Sequence, residues 1–196
     1  MINLKTSFQK ILILVRGCLS LSVSHFFPET LVALVKDMLT KTDGSTTKAI
    51  ETLIGGKAEI EVFQQNNIDY DKLSPEEARL FQRDDDILFR TSSLKTGDDY
   101  LSYNYVYVKT NLLPPAIKQD LQAERLPIGK IIAELESRRE IFSTGDCLGK
   151  HFTQLVPVSA DRTYAFKKYQ IISGRQCMFY VCELFDLEKI CERTAG

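Results

Sequence analysis

The chain has almost no excess charge, only two histidines, and no cysteine pair at C-x-x-C spacing. A net charge of -1 on 196 residues sets up no basic field to attract nucleic acid or an anionic membrane. With only His25 and His151 beside Cys18, Cys147, Cys177, Cys182 and Cys191, and no C-x-x-C pair, a zinc site is not expected. An odd number of cysteines without a motif reads as reduced thiols in a reducing compartment, here the cytoplasm. Low-complexity tracts and internal repeats are missing too. The apolar run Ile11-Leu12-Ile13-Leu14-Val15 is stopped by Arg16, far short of the roughly 20 residues that cross a bilayer.

Residues 1–25 read as an N-terminal extension, a helix packed on the domain that follows. Lys5 and Lys10 before the apolar run and Ser22-Val23-Ser24 after it allow a second reading, a cleaved targeting segment. Residues 26–196 are long enough for one domain, and 44% hydrophobic with 26% charged residues is an ordinary balance for burying a core.

Leu31, Leu34, Val35, Met38 and Leu39 recur at helical spacing, which predicts a helix from Pro28 to Thr40. Thr42 to Ser45 is a turn, and Thr46 to Leu53 begins a second short helix or leads into a strand. Residues 58–63 alternate as a strand, 64–86 are polar, and Ser74-Pro75-Glu76-Glu77 marks a helix start. Residues 87–94 and 100–108 form a hairpin across Lys95 to Asp99, with Tyr103, Tyr105 and Tyr107 as a cross-strand packing stripe. A helix is expected from Leu113 to about Glu124, a turn at Pro127-Ile128-Gly129 and a helix over 130–137. A loosely structured stretch follows, then a second hairpin from 164–172 and 177–185. The sum is an α+β fold, an antiparallel sheet with its helices on one side.

Two charges interrupt these strands. Arg90 ends Ile87-Leu88-Phe89-Arg90, and Glu183 sits within Met178-Phe179-Tyr180-Val181-Cys182-Glu183-Leu184-Phe185. Half-buried strands seldom carry an unpaired charge. As residues alone, the two read as a structural pair or as strand-end charges reaching solvent. Brought into one closed pocket, they would hold a small anion that also carries a hydroxyl. Lys167 and Lys168 read by default as a solvated strand edge. Asp84-Asp85-Asp86 reads as a solvated turn and His151 as a surface residue.

In order and spacing, Arg90 with its hairpin, Leu112-Leu113-Pro114, Leu126-Pro127-Ile128-Gly129 and Glu183-Leu184-Phe185 resemble the chorismate lyases. Asp43-Gly44-Ser45-Thr46-Thr47 resembles that family's first binding loop. Phe166 to Gly174 resembles its last hairpin, although a pair of arginines commonly stands there where this chain has Lys167-Lys168. The resemblance spans about residues 26–187. It implies a sheet of about six strands with helical flaps over an internal pocket. It also implies conversion of chorismate to 4-hydroxybenzoate and pyruvate without metal or cofactor, supplying a pathway such as quinone synthesis.

On this resemblance Arg90 takes the ring carboxylate, and Glu183 takes the hydroxyl end. Backbone N–H groups at Thr46 and Ile128 assist at the carboxylate, Gly129 allows close approach, and Lys168 takes the enolpyruvyl carboxylate. Expected partners are the small-molecule substrate alone, with no nucleic acid and no membrane, and a monomer or weak oligomer. Two alternatives stand beside it. One is a non-catalytic aromatic-acid binder, since the fold also serves as an effector domain in transcription regulators; about 25 preceding residues are too few for a DNA-binding domain. The other is a related lyase with altered substrate or product, motivated by the lysine at 168.

Overall fold

The computed structural model describes residues 29–133 and 135–195, so the reading of residues 1–25 lies outside the described part. In chain order the elements are α1 (Glu29–Lys41), α2 (Thr46–Ile54), β1 (Glu59–Ile68), β2 (Ile87–Thr96), β3 (Asp99–Lys109), α3 (Pro115–Gln122), α4 (Ile128–Ile131), β4 (Arg138–Leu148), β5 (Thr163–Ser173), β6 (Gln176–Phe185) and α5 (Leu187–Ala195). The strands form one antiparallel sheet in the order β1-β2-β3-β6-β5-β4, the α+β class and strand number expected from the sequence.

Local chemistry explains the connections. Ser45 caps α2 by accepting from the Lys48 N–H at 3.4 Å, and Gly55 ends the helix at φ 65. That settles residues 46–53 as helix. In both hairpins a glycine at positive φ, Gly97 (57) and Gly174 (60), holds the first central position of a two-residue turn, which fits the right-handed twist of the flanking strands.

The helices gather on one face. There α3 and α4 pack Ile117, Leu121, Ile128 and Ile131 against Leu88, Val108, Phe179 and Ile171. At the other end of that face, α1, α2 and α5 pack Val35, Ile50 and Ile190 around Leu94 and Phe185. Loop segments cover the opposite face, where Tyr103, Tyr105 and Tyr107 lie in one cluster with Tyr180 and Tyr164. Covered on both sides, β2 and β6 are buried almost throughout.

The sequence reading differs at five places. Residues 138–148, expected to be loose, form β4, an edge strand whose charged and small residues hide its period. The helix expected over 130–137 is a single turn, α4, starting inside the supposed loop. β1 continues through polar residues to Ile68, and the C-terminal helix α5 carried no expectation. The proposed helix start at Ser74 yields only a short 3-10 turn over Glu77–Arg79.

Candidate functional site

Strand register sets the site. Two successive rows cross four strands on the helix-covered face: Arg90–Val106–Val181–Tyr169 and Ser92–Asn104–Glu183–Lys167. Val106, Val181 and Tyr169 of the first row belong to the apolar cluster under α3 and α4, and the second row, polar throughout, separates it from the cluster under α1, α2 and α5. A belt of polar side chains therefore crosses the sheet where the helices leave a gap. The gap is a cavity of about 30 Å³, bounded below by Asn104, Val106, Val181 and Glu183 and above by Ser45–Thr47 and Pro127–Gly129. Its volume suits a water or two and not an aromatic ring.

Arg90 is the strand neighbour of the lining residue Val106, does not itself line the cavity, and is fully buried. Its Nη2 donates to the Leu126 carbonyl at 2.9 Å, while Nε and Nη1 have no partner among the described residues. Burial strips water from the guanidinium and brings its pKa down to about 10, with the Glu124 carboxylate opposing the shift. Glu124 follows the end of α3 at φ 55, a position that favours glycine. Exposed polar atoms find water, but buried ones without partners are costly and call for an occupant. Asn104 Oδ1 and Arg139 Nε, both on residues lining the cavity, are unpartnered in the same way.

Glu183 is 7% exposed and its Oε2 accepts from Thr46 Oγ1 at 2.7 Å. Lys167 Nζ stands 3.3 Å from the same oxygen, 3.2 Å from Thr46 Oγ1 and 3.3 Å from the Thr42 carbonyl. Arg90 and Glu183 therefore share a face without pairing, and Glu183 takes Lys167 as its counter-ion. Tyr169 borders the cavity; burial first, then the charge of Glu183, hold its phenol well above the usual range, so it stays protonated as a donor.

Thr46, Ile128 and Gly129 line the cavity as expected of binding-loop residues. Thr46 opens α2 and Ile128 opens α4, so their N–H groups belong to first turns that have no intrahelical acceptor. A Cβ on Gly129 would stand 3.4 Å from Arg139 Nη2, an ordinary contact that leaves a small residue room there.

Lys168 is not part of this constellation. Side chains alternate along β5, so Lys168 points to the other face and pairs with Glu76 at 2.8 Å; Tyr180 donates to the same carboxylate at 2.8 Å. Nor are the two lysines a solvated edge, because β5 lies inside the sheet and Lys167 is 1% exposed. Lys167, Arg139 and Asn104 escaped the sequence reading. Lys167 left a signal: Ala165 and Tyr169, two residues to either side, are apolar and buried, as the neighbours of an inward residue should be. Arg139 left none within Ser137-Arg138-Arg139-Glu140. Asp85 is likewise not simply solvated; it pairs with Lys109 at 2.9 Å in a nearly buried bridge. Among the described residues no group of three or more His, Cys, Asp or Glu is placed to hold a metal, and no helix is long and apolar enough to cross a membrane.

A six-stranded antiparallel sheet with helical flaps over a small polar cavity defines a chorismate lyase-like fold. The model of the Rv2949c-like chorismate pyruvate-lyase family matches residues 40–192, and the chain belongs to that family. No curated protein matches it in sequence. Among solved structures, the effector domain of PhnF from Mycobacterium smegmatis is similar at a TM-score of 0.54 and 11% identity, over 74% of this chain and 89% of that one. The gene product SA0254 from Staphylococcus aureus is similar at 0.52 and 12% identity, over 76% and 92%. At such identities the likeness is one of fold.

Proposed function

We propose that this protein is a chorismate lyase, eliminating pyruvate from chorismate to leave 4-hydroxybenzoate. The observation that carries the reading is a fully buried arginine with two unpartnered N–H-bearing nitrogens, on one sheet face with a buried glutamate and a cavity between flap loops. Family membership supports it.

In this reading the ring carboxylate lies on Nε and Nη1 of Arg90, whose planar fork suits two oxygens. The first-turn N–H groups of Thr46 and Ile128 add donors, and Gly129 leaves space beside them. Glu183, held in place by Thr46 and Lys167, accepts a hydrogen bond from the ring hydroxyl and fixes the ring's orientation. The ether C–O bond breaks as the hydrogen on the hydroxyl-bearing ring carbon passes to the enolpyruvyl methylene. That carbon becomes the methyl of pyruvate, and the ring becomes aromatic. Nothing beyond positioning and exclusion of water is then asked of the protein. Chorismate needs more room than the closed cavity has, so Ser45–Thr47 and Pro127–Gly129 part to admit it. Such a protein works in the cytoplasm as a monomer or weak oligomer.

A second reading is a binder of aromatic acids that does no chemistry. The similarity in fold to the effector domain of PhnF favours it. Titration with 4-hydroxybenzoate alongside a pyruvate assay separates the two: tight binding with no pyruvate above the spontaneous rate would favour the binder. The lysine at 168 gives no ground for an altered product, since it faces away from the cavity.

A further inference from the structure

We infer that Arg139 is the ligand for a second carboxylate, and that it makes this site select dianionic ring acids over monoanionic ones. The inference rests on the reading above that the cavity takes a ring acid. It goes beyond that reading by assigning selectivity to a residue on the edge strand.

Three observations carry it. First, the Arg139 guanidinium is fixed but under-used. Nη1 donates to the Asp43 carbonyl at 2.8 Å, a neutral acceptor, and Cζ lies 5.9 Å from the Tyr169 ring centre. Nε is buried without a partner, and no carboxylate among the described residues pairs with Arg139. Its position is therefore held by loop and ring, while its charge is unanswered.

Second, Arg139 has no carboxylate of its own at the cavity: Glu183 is answered by Lys167, and the carboxylate that acts on Arg90 is that of Glu124. Excess charge in a poorly solvated site is unfavourable until a counter-ion enters. A monocarboxylate on Arg90 leaves Arg139 without a counter-ion, and a dicarboxylate supplies one.

Third, the separation fits. Arg90 bonds the carbonyl of Leu126, and Arg139 lies against Gly129, three residues further along the same loop. That stretch of chain spans about 10 Å at most, so the two guanidinium groups adjoin the same flap segment, the one that parts in the reading above to admit a ring acid. Arg139 thus serves a carboxylate carried away from the ring, the role that Lys168, on the opposite face, does not fill.

The test is a binding comparison by calorimetry on the full chain. One probe is 4-hydroxybenzoate. The other is 3-(carboxymethoxy)-4-hydroxybenzoate, which carries both carboxylates and has no enol ether to eliminate. Wild-type protein should bind the dicarboxylate more tightly. Arg139→Gln should weaken the dicarboxylate about 10-fold or more and leave 4-hydroxybenzoate within about twofold. Arg139→Lys, which keeps the charge, should recover part of the loss. Arg90→Gln should weaken both probes. Equal weakening of both probes by Arg139→Gln, or of neither, would overturn the inference, as would a wild-type preference for the monocarboxylate. Selective dicarboxylate binding by a protein that releases no pyruvate from chorismate would keep this inference and remove the lyase reading.

Discussion

Lys167 and Glu183 face each other across the β5–β6 ladder, and Nζ stands 3.3 Å from Oε2 with both side chains almost wholly out of solvent. The pair shares Thr46 Oγ1, so the first flap helix is tied to the floor of the cavity through a three-group network. Removing one member of a buried pair leaves the other charged and uncompensated, at about 3–5 kcal/mol. Glu183→Leu should therefore destabilise the protein by that order. Glu183→Gln keeps an acceptor for Thr46 and should cost less, while lowering chorismate turnover at least 10-fold. Thermal unfolding and pyruvate release measured on the same preparations check both. Wild-type turnover in Glu183→Gln would remove Glu183 from the site.

The two adjacent lysines should separate by function. Lys168 pairs with Glu76 in a partly exposed bridge, where the gain is about 0–1 kcal/mol. Lys168→Met should leave turnover within about twofold and shift stability only slightly. Lys167→Met should cut turnover strongly, because it frees Thr46 and Glu183. The opposite ranking in a turnover assay would return the role to Lys168.

Stability should also respond to acid through Glu76. Burial pulls its pKa up, but hydrogen bonds from Lys168 and Tyr180 outweigh that and bring it below the usual glutamate value. A carboxylate lowered in the folded state contributes stability above its unfolded pKa and loses it as pH falls through the folded one. Unfolding followed from pH 6 downward should show this loss beginning near 4.5, the ordinary glutamate value. Glu76→Gln should lack that component, and an unchanged profile in the variant would contradict it.

Arg90 should trade stability for binding. Its pKa of about 10 is below the ordinary 12.5, so the folded protein holds that proton less tightly than the unfolded chain does. The charged form is thus a cost of folding at neutral pH, and between these two values the cost recedes as pH rises. Arg90→Met should leave the ligand-free protein equally stable, or more stable by about 1 kcal/mol, and abolish binding of 4-hydroxybenzoate. Denaturant unfolding of the variant and a binding titration check both; a large loss of stability in Arg90→Met would show that the arginine is structural.

Much of this was legible in the sequence for a physical reason. Arg90 and Glu183 stand out because each interrupts an apolar run, and such runs mark strands covered on both faces. The hairpin loops are equally local, whereas residues 46–53, which Ser45 caps as a helix, read in sequence as either helix or strand. β4 was not legible: an edge strand has one paired side, and Arg138 to Leu148 alternates only between exposed and half-exposed residues. Arg139 therefore looked like any surface arginine, and its approach to Asp43 and Gly129 depends on contacts far apart in the chain. The choice between Lys167 and Lys168 turned on strand parity, one residue's difference that reverses the face.

The most direct measurement is product analysis of chorismate incubated with purified wild-type protein and with Arg90→Gln. Pyruvate and 4-hydroxybenzoate should appear in equal amounts with the wild type, and fall by 10-fold or more with the variant. Pyruvate release no faster than from chorismate alone, by a wild-type protein shown to be folded, would contradict the account.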